Sequence, residues 1–249
     1  MAFYEEFSKY YDDIFKFDSQ KLYFLQKMFE EKVAGKILDI GTGTGTYAVK
    51  LAKKNYEITG IDLNKNMLKK ARQKTKSAKI KKKPSFIELN MKDILHAFES
   101  GSFSGAYSIG NVLVHLEDKE TIKDVTGDLY QLLGDKGRLV IQIINYERIL
   151  KQNIKGLPTI INEDENISFI RNYNFKSNSK KIEFHTILKI KDSEQIFENR
   201  IELYPLLPDE LKQILKDNGF TNIKSYGSFN QDEFEIEESI PFIVTADKE

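Results

Sequence analysis

An apolar run that ends in a carboxylate and then breaks into three spaced glycines constrains this chain more than any other stretch. It reads Lys36-Ile37-Leu38-Asp39-Ile40-Gly41-Thr42-Gly43-Thr44-Gly45-Thr46, and the helix-like Tyr47-Ala48-Val49-Lys50-Leu51-Ala52 follows. A buried strand turning tightly into a helix has this pattern. Glycine accepts positive φ and lets a ligand approach the backbone, and a helix start offers N–H groups without intrahelical partners. The stretch is either a ligand cradle or a tight βα turn with no ligand.

The rest of the chain alternates in the same way. Phe7, Tyr10, Tyr11, Ile14 and Phe15 recur at helical spacing, as do Leu22, Leu25, Met28 and Phe29 after Asp18-Ser19, so residues 3–33 read as two helices. Strands are expected over 37–40, 57–63, 84–89, 103–109 and 138–144, with helices over 44–54, 64–76 and 118–133. Such βαβα alternation specifies an α/β fold with a parallel sheet and helices on both faces. After Tyr146 the pattern changes to three strands, 167–175, 181–190 and 195–203, joined by the turn-like Ser177-Asn178-Ser179 and Asp192-Ser193. An antiparallel meander is expected there, as an insertion over 147–204 above the ligand edge of the sheet. A helix over 208–218 and strands over 220–227 and 239–246 close the chain, with Gly219 at the helix C-terminus. The whole 1–249 reads as one domain, with residues 1–34 as a helical lid in which Tyr10 and Tyr11 face a ligand.

Composition removes several function classes. The 249 residues carry 38 Lys+Arg against 38 Asp+Glu, so neither nucleic acid nor an anionic membrane is expected as a partner. With no cysteine, disulfides, thiolate metal sites and cysteine nucleophiles are excluded. The three histidines, His96, His115 and His185, lie far apart, and no metal site is expected. No signal peptide is visible and no apolar run nears the roughly 20 residues of a membrane span, which makes a cytoplasmic monomer or homodimer the expectation. The basic run Lys79-Ile80-Lys81-Lys82-Lys83 sits in a helix-to-strand connection and reads as solvated loop.

Four motifs in order carry a resemblance. The segment 37–45 resembles motif I of the class I S-adenosylmethionine-dependent methyltransferases. Ile58-Thr59-Gly60-Ile61-Asp62, Phe86-Ile87-Glu88-Leu89-Asn90-Met91-Lys92-Asp93 and Leu132-Leu133-Gly134-Asp135-Lys136-Gly137-Arg138-Leu139-Val140-Ile141 continue it, and the stretch 211–227 looks like the family's closing helix and strand. Dinucleotide-binding dehydrogenases place their third glycine one position later, where this chain has Thr46. The resemblance implies a Rossmann-like seven-stranded sheet, with the antiparallel insertion after strand 5, and S-adenosyl-L-methionine as cofactor. Gly41, Thr42, Gly43 and Gly45 are then the cradle, and Asp39 attracts the ligand ammonium. Asp62, with Leu63 beside it, accepts from the ribose hydroxyls, since a carboxylate has acceptor sites only; its competing reading is a helix N-cap. Asn90 and Met91, or alternatively Asp93, meet the adenine, and Tyr11 and Gly110 complete the cofactor set.

The acceptor is expected above the carboxyl ends of strands 4 and 5. Asn111 is the first candidate for orienting it, His115 a base or a packing residue, and Tyr146 a pocket wall or a cover for the sheet edge. The stretch 137–150 with Asn145-Tyr146 looks like the glycine and sarcosine N-methyltransferases, which have an arginine immediately before the Asn-Tyr pair. Here that position is Ile144, and Arg171 of the insertion is the substitute candidate for substrate binding beside Asn145, since a guanidinium fits carboxylates. The leading expectation is methyl transfer to a small soluble acceptor. The alternatives are a cofactor-binding module without catalysis, and a protein or RNA methyltransferase.

Overall fold

A computed structural model describes residues 2–30, 35–176, 179–191 and 194–249, with side chains from residue 6 onward. Residues 31–34 of the expected lid, and Ser177, Asn178, Asp192 and Ser193 of the expected turns, lie outside the described residues. Helices α1 (Ala2–Ile14) and α2 (Ser19–Glu30) precede β1 (Lys36–Ile40). Then α3 (Thr46–Ala52), β2 (Glu57–Asp62), α4 (Lys65–Ser77), β3 (Ser85–Glu88), the short α5 (Ile94–Ala97), β4 (Phe103–Ser108), α6 (Lys119–Leu132) and β5 (Leu133–Ile144) alternate. The helix starts follow from local chemistry. The Asn64 side chain accepts from the N–H groups of Asn66 and Met67 to start α4, and Asp118 accepts from Thr121 N–H to start α6.

These strands pair into a seven-stranded sheet, ordered β10-β11-β5-β4-β1-β2-β3, where β10 (Thr221–Tyr226) and β11 (Pro241–Asp247) follow α8 (Pro208–Asp217). β1, β2, β3, β4 and β5 run parallel, while β11 is antiparallel to both β5 and β10. Alternation along β1 sends Leu38 and Ile40 into the layer beneath α6 and α8, and Ile37 into the layer with Phe24, Phe29, Leu51 and Leu68. Arg138 at the start of the parallel part of β5 donates to Asp247 at 2.8 Å and to the Met28 carbonyl at 2.9 Å, tying α2 to the sheet. The order in which strands are added reverses between β1 and β4, so the crevice at their carboxyl ends is the switch point where open α/β sheets bind ligands.

The insertion differs from its expected form by one strand. After α7 (Tyr146–Lys151), a four-stranded antiparallel sheet is ordered β6 (Gly156–Asn162), β7 (Ile167–Phe175), β8 (Ile182–Ile190) and β9 (Gln195–Leu203). β6 escaped the pattern because it is an edge strand with Pro158 inside it, and its register shifts between Leu157 and Ile160. The helix α7 escaped because it is short. Helix α1 packs on this second sheet: Ile14, Phe169, Leu188 and Ile190 form a core with Phe7 and Phe197 against it. At the other end Tyr173, Ile182 and Leu203 join the main core. Tyr204 N–H also bonds the Val114 carbonyl at 2.9 Å. The second sheet thus bridges from α1 to the carboxyl ends of β4 and β5. Among the described residues no helix is long and apolar enough to cross a membrane.

Candidate active site

The glycine stretch forms a left-handed turn at the switch point. Gly41, Gly43 and Gly45 have φ of 70°, 56° and 70°, a region that disfavours any Cβ. Their neighbours separate their roles. A Cβ on Gly43 would meet the Tyr11 ring at 3.6 Å, and one on Gly41 would strike Val112 of the loop after β4 at 2.7 Å. A Cβ on Gly45 would strike Ala71 and Phe86 at 2.7 and 2.8 Å. Gly45 is therefore also a packing glycine that lets α3 lie against α4 and β3.

Carboxylates gather around this turn. Asp39 is buried, accepts a 2.6 Å hydrogen bond from the Thr42 hydroxyl, and lies beside the buried Tyr107 hydroxyl, which has no hydrogen-bond partner. Burial pushes the Asp39 carboxyl up to about 7, against the Thr42 bond, and Asp62 pushes in the same direction. Asp62 accepts from the Gly43 and Asn64 N–H groups, both at 2.8 Å, so it braces the glycine turn while Asn64 takes the helix-cap role. Burial raises the Asp62 carboxyl as well, opposed by those N–H bonds. Two desolvated carboxylates at one turn define a place that a cation relieves. The Tyr11 hydroxyl is raised by burial and then by Asp62, Asp12 and Asp39, which places it over the same well.

A polar latch holds α1 here. Lys74 Nζ donates to Asp12 Oδ1 at 2.7 Å, to Thr44 Oγ1 at 2.8 Å and to Thr46 Oγ1 at 2.6 Å, and Thr44 donates to Asp12 at 2.6 Å. One lysine of α4 thus joins α1 to both threonines flanking Gly45. None of these residues was legible as a site from sequence, because their contacts span 28 to 62 positions.

On the β2–β3 side, Leu63 is 62 % exposed directly after Asp62, an apolar surface suited to the face of a base. Asn90 caps a short 3₁₀ turn, Met91–Asp93, accepting from Lys92 N–H at 3.0 Å. Met91 occupies the first position of that turn, where N–H groups lack intrahelical partners. The Asp93 side chain instead lies 4.0 Å from His96 on the exposed surface.

The loops after β4 and β5 are clamped together. Gly110 N–H donates to Gln142 Oε1 at 2.7 Å. Asn111, at φ 67°, accepts from Ile144 N–H and donates Nδ2 to the Tyr146 hydroxyl, both at 2.9 Å. Asn111 therefore acts through Tyr146, which is fully buried and whose hydroxyl is held well above its ordinary value by burial. That hydroxyl keeps its proton and orients; it is no base. Asn145 is expected at the substrate, but the structure spends its amide elsewhere. It caps α7 at Arg148 N–H and donates to the Ile236 and Ser239 carbonyls at 2.8 and 3.0 Å. His115 ends a 3₁₀ turn, Leu113–His115, on the exposed rim. Its side chain makes no hydrogen bond or ion pair among the described residues, and desolvation by neighbouring atoms lowers its imidazole below the usual value. Arg171 lies on β7 and donates Nη2 to the Pro158 carbonyl at 2.6 Å.

A glycine turn at the β1/β4 switch point, a carboxylate after β2, a buried acidic well and the main-sheet order β3-β2-β1-β4-β5-β11-β10 are features of the class I methyltransferase fold. Comparison with known proteins agrees. Residues 37–137 match the methyltransferase-domain family. A provisionally named methyltransferase of Geobacillus sp. (strain WCH70) is 26% identical over 92% of this chain and 93% of its own. A glycine/sarcosine N-methyltransferase of Aphanothece halophytica is 23% identical over 84% of this chain and 74% of its own. An S-adenosylmethionine-dependent methyltransferase structure from Clostridium acetobutylicum ATCC 824 superposes with a TM-score of 0.81 at 16% identity, covering 98% of both chains. The chain thus carries a methyltransferase domain over residues 37–137, and S-adenosylmethionine-dependent methyl transfer is the activity its matches point to. The site fits that cofactor: glycines leave room for its amino-acid end, the acidic well suits its ammonium, and exposed Leu63 its base.

Proposed function

We propose that this methyltransferase acts on a small soluble acceptor held between the second sheet and the carboxyl ends of β4 and β5. The observation that carries this reading is the roof. Helix α1 and the second sheet pack on each other, with Tyr11 over Gly43 on one side and Tyr173 6.2 Å from the Tyr146 ring on the other. A roof attached at both ends suits a molecule enclosed within it better than a polymer lying across it. The balanced charge supports the same choice over RNA or DNA. The Aphanothece halophytica relative is named for glycine and sarcosine, both small molecules.

When bound, the cofactor supplies an activated sulfonium methyl, displaced in line by the acceptor's lone pair as the C–S pair leaves with the thioether. The protein's share is placement, which can supply about 7–11 kcal/mol of a barrier. Asp39 would hold the ammonium, Asp62 the ribose hydroxyls, Gly41, Thr42 and Gly43 the chain between, and Asn90 and Met91 the adenine edge. Asn111 would set the Tyr146 hydroxyl against the acceptor, and Tyr11 on α1 would exclude water. His115, whose imidazole is lowered by desolvation, is available to take a proton at the rim from an acceptor that must lose one.

Methyl transfer from radiolabelled S-adenosylmethionine, assayed against small amines and alcohols alongside RNA and protein fractions, tests the proposal. Incorporation into the small-molecule panel is expected. Label found only in RNA or protein would refute it, and tight cofactor binding without turnover on any class would favour a binding module.

A further inference from the structure

The inner face of the second sheet carries a single charge. Alternation and register put Ile167, Phe169, Arg171, Tyr173 and Phe175 of β7 on one face with Ile182, Phe184, Thr186, Leu188 and Ile190 of β8. Gln195, Phe197, Asn199, Ile201 and Leu203 of β9 complete it. Every acidic side chain of these strands falls on the opposite face. There Glu183 pairs with Arg200 and Lys176, and Glu198 with His185. Across the inner face Arg171 stands opposite Thr186, and Thr186 opposite Asn199, so one polar row crosses an apolar surface. The row on one side, Phe169, Leu188 and Phe197, is covered by α1. On the other side Tyr173 packs toward Tyr146 and the main sheet. The polar row therefore lies between the lid and the carboxyl ends of β4 and β5.

One charged donor on this face is unmet, with a hydroxyl beside it. Arg171 spends Nη2 on the Pro158 carbonyl, but its buried Nε has no partner and it forms no ion pair among the described residues. The buried Tyr173 hydroxyl, two residues along the same face, faces the Tyr146 hydroxyl. Burying a guanidinium N–H without a partner is costly unless something completes it, and a planar fork with a nearby hydroxyl matches an oxyanion.

We propose that Arg171 and Tyr173, backed by Thr186, form an oxyanion subsite in the roof, so that the methyl acceptor carries a carboxylate or a phosphate. The assignment rests on the small-acceptor reading above. It separates the anchoring group from the methylated atom: the anion is held by the second sheet, and the nucleophile lies toward Tyr146.

The test titrates sodium acetate or inorganic phosphate into protein saturated with S-adenosylhomocysteine, at fixed ionic strength, and follows the melting temperature. Wild type should show a saturable rise with one of the two anions, which identifies the class. Arg171→Met should weaken that anion at least about tenfold, and Tyr173→Phe by a smaller factor. Both should keep wild-type affinity for S-adenosylhomocysteine. Should Arg171→Met not fold, Arg171→Lys retains charge and stem while removing the Nε donor, and is read in the same way. No saturable response in wild type, or one that Arg171→Met and Arg171→Lys leave unchanged, overturns the subsite. Failure to bind S-adenosylhomocysteine would instead strike the underlying reading, and is seen separately in the calorimetry of that ligand.

Discussion

Replacing Asp39 by asparagine should abolish a pH dependence of cofactor affinity that wild type displays. The Asp39 carboxyl is 4% exposed and burial pushes it up to about 7 from 3.8. Between these values the folded protein binds the proton and the unfolded chain does not. Stability of the ligand-free protein therefore falls as pH rises through that window, by up to about 4 kcal/mol at 1.36 kcal/mol per unit. The ligand's ammonium reverses the preference, because it favours the ionised carboxylate. With a carboxyl of about 7, roughly nine-tenths of the free protein is protonated at pH 6 and one-tenth at pH 8. Apparent affinity should thus rise about tenfold, or about 1.4 kcal/mol, between those values. Calorimetric titration with S-adenosylhomocysteine from pH 6 to 8, in buffers of differing ionisation enthalpy, reads both the affinity and the proton released. In Asp39→Asn the amide oxygen still accepts from the Thr42 hydroxyl, so the variant keeps the turn but loses the titration, leaving weaker and pH-independent binding. A flat wild-type profile refutes the reasoning, and so does a slope that persists in the variant, which would assign the titration to His115 or Asp62.

Asp62→Asn replaces one of two acceptor oxygens by an NH₂ facing a backbone N–H; cofactor affinity should fall at least about 100-fold by calorimetry, from charged hydrogen bonds of about 1.5–3 kcal/mol each. Gly45→Ala combines positive φ with contacts at 2.7 and 2.8 Å, and urea denaturation should show a loss of about 2–4 kcal/mol. Lys74→Met removes three hydrogen bonds between α4, the turn and α1; being partly exposed, they should total about 2 kcal/mol. Stopped-flow release of S-adenosylhomocysteine should then quicken by about tenfold, and an unchanged rate would mean that α1 does not gate exit.

How much of this was legible in the chain depends on the range of each interaction. The strand-turn-helix at 36–52 is local, and its three glycines announced both the sheet and the cradle. Their division of labour did not show, because Gly45 is fixed by Ala71 and Phe86 and Gly41 by Val112. The acid at the end of β2 was readable from its place after an apolar run. Asn145, which sequence pattern put at the substrate, is consumed by carbonyls more than 90 residues away, and no local spacing encodes that. Edge strand β6, interrupted by Pro158, has too little alternation to be seen.

The proposed acceptor subsite is the hardest to read because it is defined by register. Arg171 in isolation is one arginine in a strand, as much a surface ion pair as a ligand. Its meaning comes from cross-strand partners: acids on the outer face of β8 and β9, apolar rows on either side, and Thr186 opposite. A shift of one residue in β7 would exchange its faces. It would turn Arg171 toward Glu183 and Glu198, and Asn172 toward the crevice. The proposed cofactor residues thus sit in short local motifs, whereas the proposed acceptor subsite exists only once four strands have paired. That difference explains why one sequence identifies the reaction so readily and leaves its acceptor to the geometry of the roof.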